Sequence, residues 1–260
     1  MTTMDVMHQE FEPPEALSDS IKCFWYNLRE FDGPTFDVVP DGYAEIIFYF
    51  GSTCSISCNG DFQPLPSPFL IGLLNQPAVF STESRLEIIG IRCYPWTVFD
   101  LLGLAAGKDG LRIFEHPVAQ LQSLLNTCIQ AGHVDQAVAA ITAYFLNKPP
   151  HKAVDATLFK AGAAMLEASG AIPVSEVAAA AHATVRTLER KFKQSSGHTV
   201  KDVSGLMRFE QARNRLWLEP DASLAALAQS LGYTDQSHLS REFKRYSGVT
   251  PTAFAQKRKR

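Results

Sequence analysis

The segment from Val174 to Val203 is repeated as Leu224 to Phe254, at an offset of 50 residues that becomes 51 after one insertion near a turn. Val174, Val177, Ala178 and Ala181 fall on Leu224, Leu227, Ala228 and Leu231, and both sets have the i, i+3, i+4, i+7 spacing of one face of an amphipathic helix. Leu188-Glu189-Arg190-Lys191-Phe192-Lys193 then falls on Leu239-Ser240-Arg241-Glu242-Phe243-Lys244. Ser196-Gly197 and Ser247-Gly248 follow, each with a threonine two residues on (Thr199, Thr250). Chance does not give such a match, so this part of the chain must fold as two copies of one small helical unit.

Each copy supplies a short helix, a tight turn, a candidate N-cap (Thr184; Thr234 or Asp235) and a second helix, the parts of a helix-turn-helix. Leu188 and Phe192, like Leu239 and Phe243, lie four apart and mark the buried side of the second helix; the opposite side is polar. Arg186, Arg190 and Lys193 are spaced i, i+4, i+7 with Glu189 beside them, and Ser237, Arg241 and Lys244 repeat that spacing with Gln236 and His238 near the helix start. Arginine can pair with guanine, glutamine with adenine, and glutamate can accept from cytosine in a major groove. Lys193 and Lys244 suit phosphates, which set register rather than sequence.

Charge is segregated in the same sense. The net charge of −3 divides into −10 over residues 1–150, with 7 Lys/Arg against 17 Asp/Glu, and +7 over residues 151–260, with 17 against 10. A basic domain carries the electrostatic footprint of a polyanion binder.

The N-terminal part has a different texture, with 12 of the 15 prolines at or before Pro150. Ile46 to Phe50, Phe69 to Leu74 and Leu86 to Ile91 read as strands between turn signals, and Trp96 to Leu104, Val118 to Gln130 and Asp135 to Leu146 as helices. Pro149-Pro150 marks a linker, since neither residue can continue a helix. The five cysteines (Cys23, Cys54, Cys58, Cys93, Cys128) are odd in number and scattered among apolar neighbours, as expected of reduced, largely buried thiols. No run of eighteen uncharged apolar residues occurs and Met1 to Glu12 lacks a signal-peptide pattern, so a soluble, cytoplasmic protein is expected.

From Ala178 to Phe254 the chain resembles the AraC/XylS DNA-binding domain. The resemblance is carried by Leu188-x-Arg190-x-Phe192-Lys193 with Gly197, by Arg208, Ala212 and Leu216, and by Ser223-Leu224-x-x-Leu227-Ala228-x-x-x-Gly232-Tyr233-x-Asp235-x-Ser237-x-Leu239-x-Arg241-x-Phe243-Lys244 with Gly248 and Thr250-Pro251. The first copy departs from the family pattern at His182, where a turn glycine is usual, and at Val200, where a proline is common. The resemblance implies two helix-turn-helix subdomains, at about 174–194 and 224–246, joined by a long helix at about 200–218. Pro40-Asp41-Gly42 with Glu45-Ile46-Ile47-Phe48, and Gly90-Ile91-Arg92 with Pro95, resemble the regulatory domain that precedes this module in one branch of the family.

The expected fold is therefore α+β. A regulatory domain occupies 1–150, a mostly-β cupin-like barrel to about 95 with helices over 96–147, and an all-α DNA-binding domain occupies 151–260. The candidate DNA contacts are Arg186, Glu189, Arg190, Lys193, Gln236, Ser237, His238, Arg241 and Lys244. Trp25, Tyr43, Phe48, Phe50, Arg92 and Trp96 are candidates for an effector pocket. The expected partners are double-stranded DNA, a small-molecule effector, a second copy of the chain and RNA polymerase, with no membrane, cofactor, metal or catalytic residue. A DNA-repair alkyltransferase with the same DNA-binding module, or a ligand-independent regulator working through protein contacts, are the alternatives. Activation and repression are both open.

Overall fold

The computed structural model describes residues 7–30, 33–58, 60–83, 85–107, 110–147 and 155–258. Pro149-Pro150 and the last two basic residues, Lys259 and Arg260, lie outside them. The chain opens with β1 (Met7–Phe11), the short helix α1 (Glu15–Ser18), β2 (Ile21–Glu30), β3 (Thr35–Val38), β4 (Ala44–Gly51), β5 (Cys54–Cys58), β6 (Asp61–Pro64), β7 (Phe69–Ile71), β8 (Ala78–Thr82) and β9 (Arg85–Cys93). Helix α2 (Val98–Leu102), the two-residue strand β10 (Leu111–Arg112), a 3-10 turn (Pro117–Leu121) and helices α3 (Gln122–Gln130) and α4 (Val134–Asn147) follow.

The strands make two open sheets, ordered β1-β2-β9-β4-β7-β10 and β3-β8-β5-β6. The expected closed barrel is thus opened into two layers: among the described residues no ladder joins the sheets, and a core of Ile47, Cys54, Leu65, Phe69, Phe80 and Leu86 is packed between them. The larger sheet is covered on its other face too. Ile46, Phe48 and Phe50 of β4 and Ile89, Ile91 and Cys93 of β9 pack against Leu17, Val98, Phe99, Leu125, Ile141 and Phe145 from the helices. Strand alternation makes this possible, because neighbouring residues along β4 face opposite layers. Overall the architecture is α+β, a β-rich part followed by helices.

The remaining helices are α5 (Ala156–Glu167), α6 (Val174–Ala180), α7 (Val185–Ser196), α8 (Val200–Leu218), α9 (Leu224–Ser230), α10 (Gln236–Ser247) and α11 (Pro251–Arg258). They share one core, in which Leu188 and Phe192 from α7, Val203, Phe209 and Ala212 from α8, and Leu239 and Phe243 from α10 are all fully enclosed. That core admits two residues of the β-rich part, Leu73 and Trp96. The Trp96 indole lies against α5 at Gly162, where a Cβ would come within 2.1 Å of its ring, and its centroid is 5.8 Å from that of Phe192.

Gly162 sits inside a helix, where alanine would ordinarily add about 1 kcal/mol of stability. Here Gly162→Ala should instead destabilise by about 1–3 kcal/mol, because the methyl group collides with a buried indole. Thermal melts of Gly162→Ala in the native and Trp96→Ala backgrounds check this: the penalty should disappear in the second.

Candidate nucleic-acid interface and interior cavity

Both helix-turn-helix units are built from local rules that the repeat carries twice. In the first, α6 turns into α7 through His182, which takes φ +50° at the position where Gly232 takes +72° in the second. A histidine can enter this left-handed region at modest cost, so the substitution leaves the turn intact. Thr184 caps α7 by accepting from the Thr187 amide at 3.1 Å, and Asp235 caps α10 by accepting from the His238 amide at 2.7 Å. Gly197 and Gly248 end the two helices at φ +75° and +76°. Each second helix thereby buries its Leu and Phe pair and turns its polar side outward.

Of the nine residues expected on that side, Arg186, Arg190, Lys193, Gln236, Ser237, Arg241 and Lys244 are exposed. A surface recess of about 540 Å³ along α7 is lined by Arg186, Glu189, Arg190 and Lys193. The Arg190 guanidinium donates to Gln194 Oε1 at 3.0 Å, one turn along its own helix. Glu189 and His238 are half-buried and engaged inside the fold. Glu189 Oε2 accepts from the Val200 amide at 3.3 Å, at the start of α8, where Thr199 and Asp202 also form a capping box. His238 Nε2 lies 3.2 Å from Glu242 Oε2, and its ring meets that of Tyr233 edge-on at 5.2 Å. Glu242 in turn lies 3.7 Å from Arg208 of α8, whose guanidinium donates to the Gly170 carbonyl at 2.9 Å. The connector is therefore braced against both units.

The six residues expected in a pocket are not brought together. A cavity of about 120 Å³ lies between the two sheets, walled by apolar side chains from β3, β4, β5, β7, β8 and β9 and by Glu45, and only Trp25 of the six lines it. Phe48 and Phe50 point into the helix-covered face of the sheet. Trp96 belongs to the helical core. Tyr43 and Arg92 lie beside the cavity's acidic wall, with Arg92 5.4 Å from the centre of the Tyr43 ring.

The residue that sequence reading passed over is Glu45. On β4 it alternates with Ile47 and Tyr49 on the side facing the other sheet, so an acid on an otherwise apolar stripe was the available signal. Its Oε1 accepts from Arg92 Nε at 2.8 Å and from Trp25 Nε1 at 3.1 Å. Burial, and then the charge of Asp41, push its carboxyl up to about 7. Asp41, 3.6 Å from Arg92 Nη2, is also raised by burial. Glu210 on α8 is raised by burial and by Asp41. The turn that carries Asp41 reaches α8 directly: a Cβ on Gly42 would stand 3.3 Å from Met207.

Residues 177–257 match a family described as a helix-turn-helix domain, and residues 9–108 match a domain of unknown function, DUF6597. The transcriptional regulator RipA of Corynebacterium diphtheriae is 33% identical over 86 residues, covering 33% of this chain and 25% of RipA. The transcriptional regulatory protein YesN of Bacillus subtilis is 31% identical over 71 residues, 27% of this chain and 19% of its own. The chain thus spans about a quarter or less of these relatives. ToxT from Vibrio cholerae is similar at 13% identity, with 90% of this chain and 98% of that one covered and a TM-score of 0.45.

Two helix-turn-helix units on one connecting helix define a class, the double helix-turn-helix domain that binds DNA. The helix-turn-helix domain over residues 177–257 is of the AraC type.

Because Glu189 holds the first peptide of α8, Glu189→Ala should cost about 0.5–2 kcal/mol of stability, and Glu189→Gln, which keeps an acceptor, should recover most of it. Chemical denaturation of the two variants checks the order.

Proposed function

We infer that the protein is a sequence-specific transcription regulator whose helices α7 and α10 enter successive major grooves of one DNA duplex, under the control of the N-terminal part. The observation that carries this reading is the matched pair of exposed faces, Arg186/Arg190/Lys193 and Ser237/Arg241/Lys244, each backed by a buried Leu and Phe pair. A single rigid connector suits recognition of grooves that recur about 34 Å apart on one side of the double helix. Arg186, Arg190, Gln236, Ser237 and Arg241 take the role of base readers, and Lys193 and Lys244 that of phosphate contacts. Glu189 and His238 act as positioning residues, given their engagement with α8 and with Glu242.

The division of labour runs from a regulatory part, residues 1–150, to a DNA-binding part, residues 151–260. Two features support regulation by the first part: it holds an interior cavity, and its Asp41 turn and Trp96 lie against the helices of the second. Cys23, Cys54 and Cys93 are poorly suited to the nucleophile of an alkyltransferase, because burial pushes their thiols up, Cys54 to about 11, away from the thiolate that attack requires, while Cys58 and Cys128 are half-buried. A regulator of this kind works in the cytoplasm on promoter DNA and meets RNA polymerase there. A palindromic selected site would report a second copy of the chain.

Selection of bound duplexes from a random library by the full chain should return a site with two half-motifs about one helical turn apart. Failure to enrich any sequence over bulk competitor overturns the reading. On the selected site Arg241→Ala should lose roughly 1–3 kcal/mol and relax one base position, whereas Lys244→Ala should weaken selected and scrambled duplexes alike and reduce the salt slope by about 1.

A further inference from the structure

We propose that the cavity between the two sheets is a binding site for a small apolar molecule carrying a protonated amine, and that the Glu45 carboxylate is the group that meets the ammonium. The proposal rests on reading the N-terminal part as regulatory and names the chemistry to which that part would respond.

Size and lining set the apolar half of the ligand. At about 120 Å³ the cavity is close to engineered apolar cavities of about 150 Å³ that hold benzene. Its walls come from both sheets, Phe36 and Phe80 from one and Ile47, Phe69 and Ile88 from the other. Space for the Trp25 indole on this wall is made by Gly90, where a Cβ would approach the ring to 2.0 Å. A void of this kind leaves its lining atoms without partners and weakens the fold, so filling it with an apolar group is favourable.

Glu45 sets the polar half. Both of its hydrogen bonds, from Arg92 and Trp25, land on Oε1 and hold the carboxylate in one orientation, while Oε2 accepts none from the described residues. The charge balance around it is short of cations. Arg92 is shared between the enclosed carboxylates of Glu45 at 2.8 Å and Asp41 at 3.6 Å. Its Nη1 also lies 4.0 Å from the exposed Glu10, which His8 meets at 3.3 Å, so three carboxylates surround one guanidinium and two of them have no other cation so near among the described residues. The connector adds Glu210 and Arg213, one of each sign, which leaves the deficit unchanged. Burial makes that deficit costly, as the raised Glu45 and Asp41 carboxyls show. An ammonium beside Glu45 supplies the missing positive charge; a ligand carboxylate there would add a fourth negative one. Binding would also be felt at the connector, because Asp41, which shares Arg92 with Glu45, sits on the turn whose Gly42 approaches Met207 of α8.

Benzylamine, toluene and benzoate have one shape and three charges, which makes them suitable probes for calorimetric titration of the full chain, with the thermal midpoint followed in parallel. Benzylamine should bind best and raise the midpoint, and benzoate should do neither. Glu45→Gln should bind benzylamine roughly tenfold to a hundredfold more weakly while keeping toluene, the loss expected when a charged hydrogen-bond partner is removed. Val38→Phe, which fills the cavity from its half-buried edge, should abolish both. Should Glu45→Gln fail to fold, the order of the three probes and Val38→Phe decide. Equal binding of toluene and benzylamine, preference for benzoate, benzylamine binding that survives Val38→Phe, or no binding of any probe would each overturn the proposal. A selected duplex titrated in the same samples separates it from the functional reading. Amine binding with no change in DNA affinity removes regulation and keeps the site, whereas sequence-specific DNA binding with no amine binding does the reverse.

Discussion

The structure depends on α8 being held as a single rigid body. Nine of its residues are buried, from Val200 to Leu216, and they form the floor on which both helix-turn-helix units rest. At its start the capping box of Thr199 and Asp202 and the carboxylate of Glu189 satisfy amides that a helix leaves without intrahelical partners. Further along, Phe209 meets Phe243 and Tyr246 at 5.2 Å each, and Arg208 ties the helix to Gly170 on one side and Glu242 on the other. The side chains that lock α8 thus come from α7 at one end and α10 at the other. Two recognition surfaces keep a fixed spacing only if the element between them cannot bend, and here it is packed along its length.

That arrangement divides the polar residues of α7 and α10 into two groups which the sequence alone does not distinguish. A side chain at the edge of the buried stripe, such as Glu189 or His238, can reach the connector and is used to fix it. Those a further step round the helix, Arg186, Lys193, Ser237, Arg241 and Lys244, stay exposed. Arg190 and Arg241 occupy matching positions of the two copies, and among the described residues Arg190 hydrogen-bonds only to Gln194 on its own helix. Neither is consumed by bracing the fold, which leaves both guanidinium groups for a ligand outside it.

How much of this could be read in advance followed from how locally each feature is encoded. The connector was legible only through the family resemblance, which implies a long helix at about 200–218, and α8 spans Val200–Leu218. The three strand runs that stood out lie in β4, β7 and β9, which neighbour one another in the larger sheet and are apolar on both faces because both are covered. Strands β1, β3 and β6 escaped notice because they sit at sheet edges with exposed, mixed residues. Pairing between strands distant in sequence was illegible for a different reason: β3 pairs with β8 and β5 with β8, and nothing local records such partners. Aromatic residues were a poor guide to the cavity, since Phe48 and Phe50 alternate onto the wrong face and Trp96 leaves the sheet altogether. A lone acid in an apolar strand, Glu45, was the better indicator, because burying a carboxylate is costly unless something repays it.

Two of the contacts between the β-rich part and the helices differ in kind, and the difference bears on the proposed control. Trp96, enclosed against Gly162 and Phe192, is an apolar anchor with no charge to change and little space in which to move. The seam formed by Asp41 and Arg92 against Glu210 and Arg213 is ionic and half-buried, and its Arg92 is also claimed by Glu45. A ligand can shift a conformational equilibrium only by the difference in its affinity for the two states. An apolar anchor offers a ligand in the neighbouring cavity no such difference, whereas a shared guanidinium does, since whatever alters the demand of Glu45 on Arg92 alters what is left for Asp41. On the regulatory reading proposed above, the anchor is the pivot and the ionic seam the variable contact. That seam bears on α8, the helix on which both helix-turn-helix units rest.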